Sequence, residues 1–218
     1  MPEDLSSFFS GLKFGETVII EYQSTSYPEV LFHLLQNFCS ANSMQVLIDD
    51  IVDTYPQFVS GMKALGFEPG SALVIKIGGG KIEAGTVVER LDVDKYSIPV
   101  NHYRNVVGRI PNLREEYINP VLGVHKFPLL LTKRELLSFL ATVSTFVGDT
   151  SRIAVYFINR DVVDAIEPSF LPMFEEIATT VAEWYRDGSD FVLSVIKAAN
   201  PELLEKEYRL KVEEVLKG

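Results

Sequence analysis

The stretch Thr17-Val18-Ile19-Ile20-Glu21-Tyr22-Gln23-Ser24-Thr25-Ser26-Tyr27-Pro28 decides how this chain is read. Its first half is β-branched and apolar, without glycine or proline, and reads as a buried strand. Gln23–Pro28 is a short polar turn. Residues 29–41 then place Val30, Leu31, Leu34, Leu35 and Phe38 on one face at helical spacing. A strand that turns directly into an amphipathic helix is the building unit of an α/β sheet. Where such a junction binds phosphate, glycines let backbone amides cradle the anion and a lysine reaches it. This turn has neither glycine nor lysine.

What the turn has instead is Ser26 and Glu29 at the spacing of a capping box, with Pro28 in the first helical turn. In that arrangement the Ser26 oxygen takes a helix amide and Glu29 covers the N–H of Ser26. The helix start, ordinarily a receptor for anions, is then partly self-satisfied and carries a carboxylate.

Working outward, residues 1–14 carry Phe8, Phe9, Leu12 and Phe14 and read as a short helix laid on the domain. Residues 44–48 and 72–77 are apolar runs of strand type. Between them residues 56–65 form a helix stopped by Gly66 and Pro69-Gly70. Gly78-Gly79-Gly80-Lys81 lacks the spacing of a phosphate loop, has Ile82 where Ser or Thr belongs and precedes no helix. It reads as a glycine turn between strands. Residues 86–93 are strand-like, and 94–119 are mixed and polar, with His102-Tyr103-Arg104 opening a helix. Residues 120–124 form a central strand, and 129–131 are apolar without a clear period. Residues 133–147 form a second strong helix, with Leu136, Leu137, Leu140, Val143 and Val147 on one side. Residues 153–158 read as a strand buried on both faces. Residues 175–185 lie in a helix starting near Pro168 and ending near Gly188. Residues 191–196 and 208–212 are strands, with an antiparallel edge expected from their short connection. Helices alternating with strands give a three-layer α/β/α domain with a mainly parallel sheet, and residues 1–218 read as one domain.

A net charge of −10 leaves no basic footprint for nucleic acid. No apolar run reaches the ~18 residues of a membrane span. The lone Cys39 fits a reducing compartment, and no basic-then-apolar leader opens the chain, so a cytoplasmic protein is expected. His33, His102 and His125 have no ligand spacing among themselves or with Cys39, so no metal or other cofactor is expected. Asp49-Asp50 could line the carboxyl edge of the sheet, and Glu175-Glu176 read as a solvated helix face. Lys81, Arg90 and Lys95 are scattered charges rather than a patch. His125 and Lys126 fall at the carboxyl end of a central strand, where open α/β sheets bind ligands.

The order of elements from Phe14 to Val212, with Gly15-Glu16 before the first strand, resembles the RecA-like core of archaeal KaiC-type ATPases. More closely, it resembles a small uncharacterised archaeal family seen in Thermococcales, a domain of unknown function related to those ATPases. The resemblance implies where functional residues should fall. The phosphate loop maps to Gln23, Ser24, Thr25, Ser26 and Tyr27, none of which does a lysine's work. The paired glutamates that position the attacking water map to Val52-Asp53-Thr54, leaving Asp53 alone. The magnesium-holding aspartate maps beyond Val121-Leu122-Gly123-Val124, where His125-Lys126 stand. Of the Lys and Arg that reach a neighbouring subunit, Lys197 is kept and Ala199 replaces the arginine. The resemblance therefore implies a degenerate nucleotide site, no ordinary hydrolysis and no ATP-driven ring. A monomer or dimer is expected, with the cleft of Gln23–Tyr27, Asp53, His125 and Lys126 turned to a protein or peptide partner. A nucleotide-binding regulator without hydrolysis is the alternative.

Overall fold

The computed structural model describes residues 3–92 and 100–216. Part of the expected polar stretch, including Lys95, lies outside them. The elements run α1 (Glu3–Gly11), β1 (Thr17–Tyr22), α2 (Pro28–Ala41), β2 (Gln45–Ile51), α3 (Thr54–Ala64), β3 (Leu73–Ile77), β4 (Thr86–Leu91), α4 (Val100–Val107) and β5 (Tyr117–Leu122). A single 3-10 turn at Val124–Lys126 leads to α5 (Phe127–Leu130) and α6 (Lys133–Ser144). There follow β6 (Arg152–Asn159), α7 (Arg160–Ile166), α8 (Phe170–Ile177), β7 (Thr180–Asp187), β8 (Asp190–Lys197), β9 (Glu207–Lys211) and α9 (Val212–Leu216).

The strands form one nine-stranded sheet in the order β4-β3-β2-β5-β6-β1-β7-β8-β9. From β4 through β7 every neighbour is parallel, and β7-β8-β9 is antiparallel. Side chains alternate across the sheet, so each strand feeds two cores. Val18, Ile20 and Tyr22 pack with α1, α2 and α3 on one face, while Ile19, Tyr156 and Ile158 pack with α4 to α8 on the other. This is the expected three-layer α/β/α architecture, with its antiparallel edge.

One expected helix is mostly strand. Residues 180–187 are β7, bonded between β1 and β8, and α8 ends at Ile177. Val181, Trp184 and Tyr185 happen to be spaced as on a helix, but the β-branched Thr179-Thr180-Val181 run and the partners on both sides favour the extended chain. In α6, Leu137 is 54% exposed, not in the core with Leu136, Leu140 and Val143, and the helix ends before Val147.

Candidate functional site

Two crevices open at the carboxyl ends of the parallel strands. After β1 the chain leaves to one face as α2, and after the neighbouring β6 it leaves to the opposite face as α7. The same divergence occurs between β2, followed by α3, and β5, followed by α5. Such reversals are where α/β sheets hold ligands.

The first crevice holds the turn after β1. Its Ser24 backbone N–H donates to Asp161 Oδ2 at 2.7 Å, from the first turn of α7. The Ser24 hydroxyl is hydrogen-bonded with the Asn159 side chain at 3.1–3.3 Å. The turn's Ser24 amide thus holds the chain's own carboxylate. The expected capping box is not formed. The Ser26 hydroxyl donates to the Gln23 carbonyl at 2.7 Å, and the cap position falls on Tyr27, in left-handed backbone with φ 53°. The turn is closed by Ser26 N–H to Gln23 O, so the helix starts one residue later, at Pro28. The half-buried Glu29 side chain lies against Gly61 of α3 instead. A complete capping box exists elsewhere, between Thr132 and Glu135 at the head of α6.

The second crevice holds a partly buried ion cluster. Val52 and Asp53 both have left-handed backbone, φ 51° and 55°, a strained pair at the end of β2 for which a valine is a poor choice. The bend aims the Asp53 carboxylate at Lys76 Nζ and at the Gly80 N–H, the latter at 2.5 Å. The glycine turn fits around it: a Cβ at Gly79 would lie 2.7 Å from that carboxylate. Lys76 also lies 3.5 Å from Asp50 and donates to the Ile82 carbonyl at 2.5 Å, with its side chain 1% exposed. Partial burial pushes Asp53 up, but Lys76 and Gly80 prevail and hold it below the usual carboxylate range. Lys126 donates to the Val52 carbonyl at 2.9 Å, and burial lowers its ammonium pKa despite Asp50 and Asp53.

His125 does not reach the open crevice. It is 6% exposed, packed edge-on against Tyr22 at 6.0 Å, with Nδ1 unpartnered. Burial, then the charge of Lys126, push it down to about 4, so it is neutral at pH 7. Tyr27 turns the other way, towards Phe191 and the Arg186 guanidinium. Gln23 and Thr25 are exposed at the rim and Ser26 is buried, its carbonyl accepting from Trp184 Nε1 at 2.8 Å. The structure therefore groups Ser24 with Asn159 and Asp161, groups Asp53 with Lys76 and Lys126, and sets Tyr27 and His125 apart.

The other acids are placed differently from expectation. Asp49 and Asp50 do not share an edge. They are buried on opposite faces, Asp49 accepting from Tyr103 Oη at 2.7 Å and Asp50 from the Tyr55 N–H at 2.8 Å. Burial pushes Asp49 up to about 6 against its bonds to Tyr103 and Asn119 and the charge of Arg152. Glu175 is not solvated but half-buried and faced by Glu21. Glu21 is 2% exposed, and neither of its oxygens makes a well-formed hydrogen bond. Arg160 stands 3.3 Å away but is turned to Glu183 at 2.5 Å. Lys197 donates to the Glu175 and Glu176 carbonyls at the end of α8. Since it is paired with Val181 at the start of β7, it stands at the end of the sheet opposite the crevices.

Glu21 gives a pH prediction. Burial, then Glu175, push its carboxyl up to about 9 against the pull of Arg160. The folded chain then keeps a proton that the unfolded chain loses near pH 4, so stability is full below that pH and falls as pH rises towards 9. One such proton gives a slope of at most about 1.4 kcal/mol per pH unit. Glu21→Gln should flatten the decline in urea midpoint between about pH 5 and pH 8. A variant that declines as steeply as wild type contradicts this.

A family model described as "Pyrococcus protein of unknown function, DUF257" matches residues 7–209. The chain belongs to the DUF257 family. A solved structure from Pyrococcus horikoshii OT3, described only as a structural study, is 34% identical to the DUF257 chain. It matches with a TM-score of 0.82 over 93% of this chain and 96% of its own. A KaiC-like protein from the same hyperthermophilic archaeon is 13% identical, with a TM-score of 0.59 over 89% of this chain and 84% of its own. That second likeness shows a shared RecA-type fold. No curated protein matches in sequence. Among the described residues no helix is long and apolar enough to cross a membrane.

Proposed function

We propose that the DUF257 chain is a RecA-fold domain with a degenerate phosphate loop, which does not turn over nucleoside triphosphates and which acts in the cytoplasm through a polypeptide bound at the carboxyl ends of its central strands. The Ser24 N–H to Asp161 bond carries the first part of this reading. A phosphate reaching that amide must displace a carboxylate of its own sign, and the other receptor, at Gly80, is filled by Asp53. Phosphoryl transfer needs cations aimed at the transferred group. Here the two lysines at the strand ends are engaged, Lys76 by Asp50 and Asp53 and Lys126 by the Val52 carbonyl.

The polypeptide part is supported by the rim. Gln23 and Thr25 are exposed, and their side chains have no hydrogen-bond partner among the described residues. A peptide supplies matched N–H and C=O groups without the dense charge that Asp161 and Asp53 repel. With Lys197 held in its own chain, the protein is expected to be a monomer or dimer whose mass in light scattering does not change with ATP.

A photo-crosslinker placed at Thr25, in an extract of the cells that make the protein, should yield one discrete polypeptide adduct. The same group at the exposed Lys63 on α3 should not. Adducts from neither position, or equally from both, overturn the polypeptide reading. Micromolar binding of magnesium–ATP would instead favour a nucleotide-binding regulator without hydrolysis.

A further inference from the structure

At the opposite end of the sheet, the last turns of α2, the starts of β2 and β3 and the segment before β5 line a half-open pocket of about 430 Å³. Two glutamines build its walls. Gln36, 3% exposed, holds Gly70 twice: it accepts from the Gly70 N–H at 3.1 Å and donates to the Gly70 carbonyl at 3.4 Å. Gln45 accepts from the Arg114 N–H at 2.7 Å and donates to the Asn112 carbonyl at 3.3 Å. Arg114 is in turn anchored on the Ser43 carbonyl.

The chemistry of the lining is the inverse of the chain as a whole. The net charge is −10, yet the lining includes Arg114, whose guanidinium reaches the Ser43 carbonyl, and no Asp or Glu. Arg114 forms no ion pair among the described residues, and the hydroxyls of Ser40, Ser43 and Ser71 have no partner there. The floor is apolar, with Cys39, Val46 and Ala72. The carboxyl end of a helix disfavours anions. Here, however, the Phe38 and Cys39 carbonyls are taken by the amides of Asn42 and Met44, and Arg114 covers that of Ser43. A guanidinium fork matches carboxylate or phosphate oxygens, and the volume is that of a small-molecule site.

We propose that this pocket binds a small organic oxyanion, held by Arg114 and the hydroxyls of Ser40, Ser43 and Ser71. It is independent of the crevices at the carboxyl ends. Two sources share this chemistry, phosphomonoesters and carboxylates, and the test separates them. Isotope-labelled protein is titrated with glycerol phosphate, citrate, inorganic phosphate and uncharged glycerol, followed by amide shifts. One organic anion should saturate with a dissociation constant of about 1 mM or tighter, moving Ser40, Ser43, Ser71 and Arg114, while glycerol does not. Arg114→Gln, an exposed position, should weaken it about tenfold, and Ser71→Ala by a smaller factor. The proposal is overturned by no saturable shift with either organic anion, by equal binding to Arg114→Gln, by equal shifts with glycerol, or by shifts confined to Ser24 and Thr25.

Discussion

Lys76→Met is expected to lower stability by about 3–5 kcal/mol, because it leaves a buried carboxylate without its cation. Lys76 and Asp50 face each other in register on β3 and β2, each 1% exposed. Methionine fills the lysine's volume, so lost packing is a small part of the effect. Asp53 loses its partner too but is 21% exposed and can be hydrated. The charge left on Asp50 therefore dominates. Adding Asp50→Asn should recover much of the loss, since the amide oxygen can still accept from the Tyr55 N–H. Urea unfolding of the single and double variants measures both. A Lys76→Met protein within about 1 kcal/mol of wild type would show that the cluster is hydrated rather than buried.

Gly123→Ala should be costly for a steric reason. Gly123 ends β5 with φ 99°, and a Cβ there would come closer than 3.0 Å to both Thr54 Oγ1 and the Ile51 carbonyl. Those two atoms already hydrogen-bond each other at 2.6 Å where β2 passes into α3. The Ile51 carbonyl is backbone and cannot rotate away as a side chain can, so the strand end itself must shift. Left-handed backbone costs roughly 1–2 kcal/mol and overpacking another 1–3. The sum is about 2–5 kcal/mol, read as a lower urea midpoint. The displacement would also carry Asp53 and Lys126 apart. A midpoint unchanged in the Ala variant would contradict the close approach of β2 and β5.

Residues 17–22 and 153–158 were legible as strands because a sheet covered on both sides needs apolar residues on both faces, and 191–196 as an apolar run, although Ile196 is 52% exposed on the antiparallel side. The three layers and the antiparallel edge followed from their order. Residues 180–187 were not, since Val181, Trp184 and Tyr185 have helical spacing and only the neighbours β1 and β8 show the chain to be extended. At the site, the absence of glycine and lysine from Gln23–Tyr27 could be read directly. The Ser24–Asp161 bond could not, for it joins residues 137 apart in sequence. Lys76 was missed, although a signal existed. A lysine inside Leu73-Val74-Ile75-Lys76-Ile77 and an aspartate pair inside Val46-Leu47-Ile48-Asp49-Asp50-Ile51 are charges where burial forbids unpaired ones. Ser26 and Glu29 had the spacing of a capping box, but the Gln23–Ser26 turn moved the helix start to Pro28.

On the proposed reading, Asp161 on the Ser24 amide and Asp53 on the Gly80 amide are expected to keep nucleotide from binding at the strand ends. Calorimetric titration of magnesium–ATP tests it most directly. It is made on the wild type and on Arg114→Gln, so that the pocket at the other end of the sheet does not enter. The account predicts no saturable heat in the Arg114→Gln protein below about 1 mM, near the weak end of the affinity scale. Micromolar binding that survives in that variant would contradict it.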